Sequence, residues 1–148
     1  MLIDPFMRSV SNADIYGAGD AAQSVEVPGA RVRMAAFTAL ILGAHSADCL
    51  SAVLHGRSAK PLSFAYAGQG IALGRHDAIG FGSSPDDIPR GPYFTGRAGL
   101  TIRELGANLL AALPSLEKRR PGLFTWPGKG RYAASRQRAA LAGHVGPI

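Results

Sequence analysis

The chain of 148 residues is 47% hydrophobic and 18% charged, which is the composition of an ordinary globular domain and excludes a largely disordered protein. Its single cysteine, Cys49, excludes a disulfide framework and any Cys-x-x-Cys metal or redox motif. Residues 1–56 hold three Arg and five acids, whereas residues 57–148 hold thirteen Lys or Arg and five acids, so the second part of the chain is the part suited to an anionic partner.

The apolar pattern predicts five strands and two helices. In chain order they are strands at residues 2–4 and 14–18, a helix at residues 34–54, strands at residues 62–66, 71–73 and 78–81, and a helix at residues 96–113. Gly56 ends the first helix, and residues 67–70 join two strands in a hairpin. The first helix is long enough to span a membrane, but His45 and Asp48 within it favour the buried helix of a soluble domain.

The remaining sequence has weaker signals for regular structure. Glycine and proline cluster at residues 83–96 and again from residue 121, which predicts turns in both stretches. The N-terminus lacks a basic segment followed by an apolar one, so we expect no signal peptide and a cytoplasmic location. After Glu117 come seven Lys or Arg and no acid, which predicts either a solvated tail or contact with the inner face of a membrane.

Asp20 is the candidate binding residue of the N-terminal part. Gly17 and Gly19 precede it at the end of a predicted strand, and glycines let a ligand approach the backbone closely. A carboxylate there accepts hydrogen bonds from hydroxyl groups, as a ribose or a ribityl chain would supply. The alternative is a Gly-Asp turn that caps the segment after it. No histidines are spaced as metal ligands, so we predict no metal site, and we assign no catalytic residue.

Four stretches of the sequence resemble the pyridine nucleotide-disulfide oxidoreductases, in particular their type II NADH dehydrogenase-like members. The stretch NADIYGAGDAA at residues 12–22 resembles their second FAD fingerprint. The stretches PLSFAYAGQGIALGRHDAIG, TGRAGLTIRE and RRPGLFTWPG, at residues 61–80, 95–104 and 119–128, are similar to their C-terminal part. Together the resemblance covers about residues 1–128.

This resemblance implies an FAD site and NAD(P)H as the co-substrate, with hydride passing from NAD(P)H to the flavin and on to an acceptor. It places Gly19 and Asp20 on the ribityl chain and the backbone of Met34, Ala35 and Ala36 on the flavin ring. The implied fold is α+β, with the strand and helix that end an FAD-binding Rossmann-like domain, followed by a small antiparallel sheet with a C-terminal helix. The corresponding regions are residues 1–56, residues 57–117 and a basic Gly/Pro-rich tail at residues 118–148.

Two departures from the family pattern concern the electron acceptor. Type II NADH dehydrogenases carry glutamines beside the flavin in an AQxAxxQQG pattern, whereas this chain has AFTALILG, with Phe37, Ile41 and Leu42 in the corresponding stretch. The disulfide reductases end with an HP…E segment, whereas His144 lies in GHVGP. Reduction of quinones and reduction of disulfides are therefore both disfavoured.

The Gly-x-Gly-x-x-Gly units that hold the FAD pyrophosphate and NAD(P)H are missing from the sequence. We therefore expect a C-terminal fragment, either a truncated gene product or half of a split enzyme, that is inactive alone. Its partner is then an N-terminal half on another chain, or a second copy of this one. The alternative is a non-catalytic binding or dimerisation module whose basic tail contacts an anionic membrane or nucleic acid, of which nucleic acid is the less favoured.

Overall fold

The computed structural model describes residues 1–24, 32–62, 66–84 and 87–120. Over these residues the fold is α+β, with two helices, a three-stranded antiparallel sheet and one short parallel pair of strands. The elements are β1 (Leu2–Ile3), a 3₁₀ turn (Gly19–Ala21), β2 (Gln23–Ser24), α1 (Ala36–Leu54), β3 (Gly68–Ala72), β4 (Ala78–Ser83), β5 (Pro89–Phe94) and α2 (Gly96–Arg119). The chain divides into two compact units, Met1–Leu62 and the part from Ser63 onward.

In the first unit, β1 pairs in parallel with β2, and the chain between them folds back on β1. The predicted strand at residues 14–18 is wrong, because there Tyr16 makes only an isolated bridge to Arg8. Gly17 donates its N–H to the Met7 carbonyl, and beyond it Gly19 takes a positive φ of +68°, which ends the extended run. The strand that pairs with β1 therefore comes after the glycines, at β2.

The predicted first helix is confirmed as α1, which begins two residues later than expected, at Ala36. It ends at Leu54 and is followed by Gly56 with a φ of +64°, as the glycine predicted. Only one side of the helix is covered: Thr38, Ile41, Leu42 and Cys49 are buried, whereas Leu50, Val53 and Leu54 are exposed. The expectation of a buried helix thus holds for that side alone.

Among the described residues, α1 is the one helix whose length and apolar composition would allow it to cross a membrane. The core helix of a soluble protein meets the same two conditions.

In the second unit, β4 lies between β3 and β5, and both pairings are antiparallel. The predicted strand at residues 78–81 is confirmed within β4. The predicted hairpin is wrong, because Gly68 and Gly70, which were expected in its loop, lie in β3 and pair with Gly82 and Gly80. The loop of the real hairpin is at residues 73–77, and residues 63–65 of the predicted first strand lie outside the described part.

Helix α2 packs on one face of this sheet. The stretch at residues 83–96 was expected to be turns, but it contains β5, which pairs with β4 despite two prolines. The second helix is confirmed from Gly96 and continues to Arg119, six residues beyond the predicted end and through Pro114. The tail predicted from residue 118 is described only as far as Arg120.

Candidate functional site

The 3₁₀ turn that carries Gly19 and Asp20 packs against α1. A Cβ atom built on Gly19 would lie 3.7 Å from the Cβ atom of Ala39, which is in the first turns of that helix. The two segments that the sequence singled out for a cofactor, Gly19–Asp20 and the start of α1, are thus neighbours in the structure. We call this region, from the 3₁₀ turn to the first turn of α1, the Asp20 site.

The Asp20 side chain is exposed at this site. Within the described ranges, its carboxylate forms no hydrogen bond and no ion pair. The turn closes instead through the backbone, since the Ala22 N–H donates to the Gly19 carbonyl at 3.0 Å. Both oxygens of the carboxylate are therefore available to accept hydrogen bonds from a ligand.

The first turn of α1 has no side-chain cap. Ala35 is the N-cap residue in an extended conformation, and the first turn contains no acidic residue. The first amides of a helix have no acceptor inside the helix, and the helix dipole adds a partial positive charge there. Met34, just before the cap, has 73% of its surface exposed. This helix end thus offers hydrogen-bond donors and a favourable potential to an electron-rich group.

Thr38 adds a polar group that the sequence reasoning missed. Its side chain is only 1% exposed, and its Oγ1 atom has no hydrogen-bond partner among the residues described. An unpaired buried hydroxyl costs roughly 1–3 kcal/mol, so such groups are uncommon in folded proteins. The signal in the sequence was one hydroxyl residue in the otherwise apolar AAFTAL that opens the helix.

These groups fit one part of a flavin cofactor. A ribityl chain carries hydroxyl donors that match the free Asp20 carboxylate, and the pyrimidine carbonyls of the ring are acceptors that match the amide of Ala36 at the start of α1. Gly19 has the positive φ of this turn, a conformation that glycine adopts without strain. Nothing in the described residues corresponds to a glycine-rich loop for a pyrophosphate, so the fit concerns the ribityl and ring portions alone.

Cys49 lies on the buried side of α1 and is an unreactive thiol. Its Sγ atom is 3.4 Å from Nε2 of His45 and 3.7 Å from the Lys60 carbonyl oxygen, to which it donates. Burial, and after it the negative charges of Asp48 and Asp4, together raise the pKa of the Cys49 thiol to about 11. The thiol is neutral at physiological pH, which agrees with a packing role.

The other histidines that the structure describes are not gathered into a site. His55 bonds the Ser51 carbonyl oxygen through Nδ1 at 2.8 Å, and His76 is exposed in the loop between β3 and β4. Over residues 1–24, 32–62, 66–84 and 87–120, no three His, Cys, Asp or Glu side chains lie close enough to hold a metal ion. His144 lies outside the described part.

A scan of the sequence against protein-family models finds no match, and a search of curated proteins finds none that matches significantly.

Proposed function

We propose that this chain is the C-terminal part of a flavin-dependent NAD(P)H oxidoreductase and supplies the contacts to the FAD ribityl chain and isoalloxazine ring. The observation that carries this proposal is the packing of the Gly19–Asp20 turn on the uncapped start of α1. When bound, the flavin supplies hydride transfer from NAD(P)H to an acceptor. Asp20 accepts hydrogen bonds from ribityl hydroxyls, and the amides that begin α1, from Ala36, stabilise negative charge on the ring.

The finer fold belongs to the same proposal. The parallel pairing of β1 with β2, followed along the chain by α1, supports the end of a Rossmann-like domain. Three apolar side chains near the end of α1, those of Leu50, Val53 and Leu54, are between 41% and 74% exposed. A helix of an intact doubly wound domain would bury such side chains against a larger sheet and its neighbouring helices. In this proposal, an N-terminal half would supply that sheet and those helices.

The sequence, rather than the geometry of the site, limits the choice of electron acceptor. Phe37, Ile41 and Leu42 on α1 disfavour a quinone site, and the absence of an HP…E segment from the sequence disfavours disulfide reduction. Ile41 and Leu42 are also buried, so they contribute to packing. The proposed electron donor is therefore NAD(P)H, and the proposed acceptor is a small electron acceptor other than a quinone or a disulfide.

The test is a titration of the full chain with two flavins, followed by backbone amide NMR. Riboflavin has a ribityl chain, whereas lumiflavin has the same ring without it. We expect both to bind weakly, with dissociation constants of about a millimolar or below, and to shift the amides of Ala36 and its neighbours. Only riboflavin should also shift the amides of Gly19 and Asp20.

The matched variants are Asp20→Ala and Asp14→Ala, since both aspartates are exposed in the same N-terminal segment. Loss of a charge-assisted hydrogen bond is worth roughly 1–3 kcal/mol, so Asp20→Ala should weaken riboflavin binding about 5- to 150-fold and leave lumiflavin binding unchanged. Asp14→Ala should change neither. Equal losses for both flavins, or for both variants, would contradict the ribityl role of Asp20.

A second candidate function is a non-catalytic module that binds an anionic surface. The observation that favours it is the exposed basic end of α2, formed by Lys118, Arg119 and Arg120. Cations at the end of a helix also stabilise the helix dipole, so this cluster has a structural role as well. The two functions are separable, because the flavin titration concerns the first unit and the basic cluster lies in the second.

A further inference from the structure

The three-stranded sheet has two outer edges, because β4 lies between β3 and β5. The edge at β5 is interrupted by Pro89 and Pro92, which lack an N–H group, and by a register shift in its pairing with β4. The edge at β3, with the sequence GQGIA, contains no proline and no charged residue, and residues 70–73 are exposed. Prolines, bulges and charges prevent a sheet edge from accepting another strand, so β3 is the unprotected edge.

The backbone groups of β3 point alternately toward β4 and toward the open edge. Ala67 accepts a hydrogen bond from the Ser83 N–H at 3.0 Å, and these two residues lie opposite each other in the register of the pair. In an antiparallel pair every second residue bonds to the partner strand, so residues 67, 69, 71 and 73 bond toward β4. The N–H and carbonyl groups of Gly70 and Ala72 therefore point outward, and no residue of the described part bonds them there.

The two sides of this edge differ in chemistry. Side chains alternate along a strand, so Gly70 faces α2 and its neighbour Ile71 faces the other side of the sheet. On the α2 side, the Cβ atom of Arg103 is 3.0 Å from a Cβ built on Gly70. The Arg103 side chain is 39% exposed and forms an ion pair with the equally accessible Glu104. On the other side, Ile71 is exposed and lies opposite Ile79 of β4, so this side is apolar.

We propose that the edge of β3 binds an extended segment of another protein, in which an acidic residue lies opposite Gly70 and apolar residues flank it. The added strand pairs with the outward N–H and carbonyl groups of Gly70 and Ala72, which is recognition by β-strand addition. Its residue opposite Gly70 has its side chain on the α2 side, where a carboxylate meets Arg103. The residues before and after it lie on the apolar side, beside Ile71.

Charge favours an acidic segment over a second copy of this chain. The loop that follows β3 carries the exposed Arg75, and the whole chain has a formal net charge of +6. A second β3 placed against the first would bring another Arg103 to the same edge, and like charges directly opposite each other are destabilising. An acidic residue there is attracted instead. The edge lies in the second unit and requires no flavin, so this inference is independent of the function proposed for the first unit.

Two synthetic peptides, QTVEVTQ and QTVKVTQ, test the proposal, since they differ only in the charge of the central residue. By amide NMR of the full chain, QTVEVTQ should bind with a dissociation constant below about a millimolar and slow hydrogen exchange at Gly70 and Ala72 at least about fivefold. Exchange at Ile71, whose N–H bonds to β4, should change much less. QTVKVTQ should bind about fivefold more weakly, because attraction to Arg103 becomes repulsion. No binding, or equal binding of the two peptides, overturns the proposal.

Variants of the chain locate the contact. Ala72→Pro removes an outward N–H but no bond to β4, so it should weaken binding of QTVEVTQ at least about fivefold, whereas Ala72→Val keeps the N–H and should not. Arg103→Gln should abolish the preference between the two peptides. Lys118→Gln is the matched control, because Lys118 is exposed about 22 Å further along α2, and it should leave the preference intact.

A peptide with an N-methyl group on its glutamate remains decisive where Ala72→Pro fails to fold. The methyl group blocks the bond from the glutamate N–H to the Gly70 carbonyl and leaves the chain unchanged, so this peptide should bind at least about fivefold more weakly than QTVEVTQ. Equal binding of the two overturns the proposal. So does protection of Gly70 and Ala72 from exchange before any peptide is added, since the chain itself or another copy then covers the edge.

Discussion

Gly99 of α2 lies directly against the backbone carbonyl of Ala78 in β4, so close that no side chain could stand between them. The Phe94 carbonyl oxygen would be only 2.6 Å from a Cβ at the same position. We predict that Gly99→Ala pushes α2 away from the sheet and lowers the free energy of unfolding by about 1–3 kcal/mol, the usual cost of overpacking. The urea midpoint of the variant relative to the wild-type chain measures it.

Gly106 provides the opposite case on the same helix. It is exposed, its φ is not positive, and a Cβ there would meet no atom within 4 Å. We predict that Gly106→Ala raises the free energy of unfolding by up to about 1 kcal/mol, because alanine favours the helix and loses less entropy on folding. The two Gly→Ala changes should therefore shift the urea midpoint in opposite directions. A shift of the same sign in both would show that α2 does not pack on the sheet through Gly99.

The positions of other glycines explain which parts of the fold could be predicted from the sequence. Helix α1, most of β4 and the start of α2 follow from apolar runs bounded by glycine. The predicted strand at residues 71–73 finds only the end of β3, and β5 was missed, because Gly68, Gly70 and two prolines predict a loop by local preference. Gly70 lies in a strand where Arg103 of α2 packs over it, and Gly68 lies against the Phe81 carbonyl of β4. Neither tertiary contact is visible in a local window of sequence.

Motif and chain order were enough to single out two segments of the candidate site, the Gly19–Asp20 turn and the start of α1. The structure packs that turn on α1, although the strand expected just before it is an isolated bridge at Tyr16. Thr38 was missed because a threonine in an apolar helix predicts packing, and its unpaired hydroxyl is visible only with the neighbouring side chains in place. Thr38 is therefore identified as a candidate site residue by the burial of its unpaired hydroxyl, and not by its residue type.

Cys49 gives a pH-dependent prediction. The pKa of its thiol is raised from 9.0 to about 11 in the folded chain, so between these values the folded state keeps a proton that the unfolded state loses. Its contribution to the free energy of unfolding is therefore complete below about pH 9 and is lost as the pH rises toward 11. We expect urea midpoints to fall over this interval, and to fall less in Cys49→Ala. An identical pH dependence in the two proteins would contradict the raised pKa.

The purified chain should be colourless and should not oxidise NADH or NADPH. The reason is that its sequence contains no Gly-x-Gly-x-x-Gly unit for the FAD pyrophosphate, so any flavin is held through the ribityl and ring contacts alone and is lost during purification. Two measurements check this: the visible absorbance of bound flavin in the purified protein, and an NADH consumption assay with and without added FAD. Stoichiometric FAD in the purified protein would contradict the fragment interpretation and require a pyrophosphate site of another kind.

The basic end of α2 leads to a prediction about anionic membranes. Lys118, Arg119 and Arg120 are exposed, and four more Lys or Arg follow in residues 121–148 with no acid among them. Each cation near an anionic surface contributes roughly 1 kcal/mol, and salt screens the attraction within a Debye length. We therefore expect the full chain to sediment with phosphatidylserine vesicles at low salt and to be released at high salt.

Three variants locate the contact. Removal of residues 121–148 leaves α2 intact, since the helix ends at Arg119, and should weaken vesicle binding by deleting four of the seven cations. Replacement of Lys118, Arg119 and Arg120 by Gln should weaken it by a similar amount, because three charges are lost. Arg75→Gln, an exposed site in the loop between β3 and β4, is the matched control and should have the smallest effect. If the wild-type chain stays in the supernatant at low salt, the cations serve solubility and the helix end rather than a membrane.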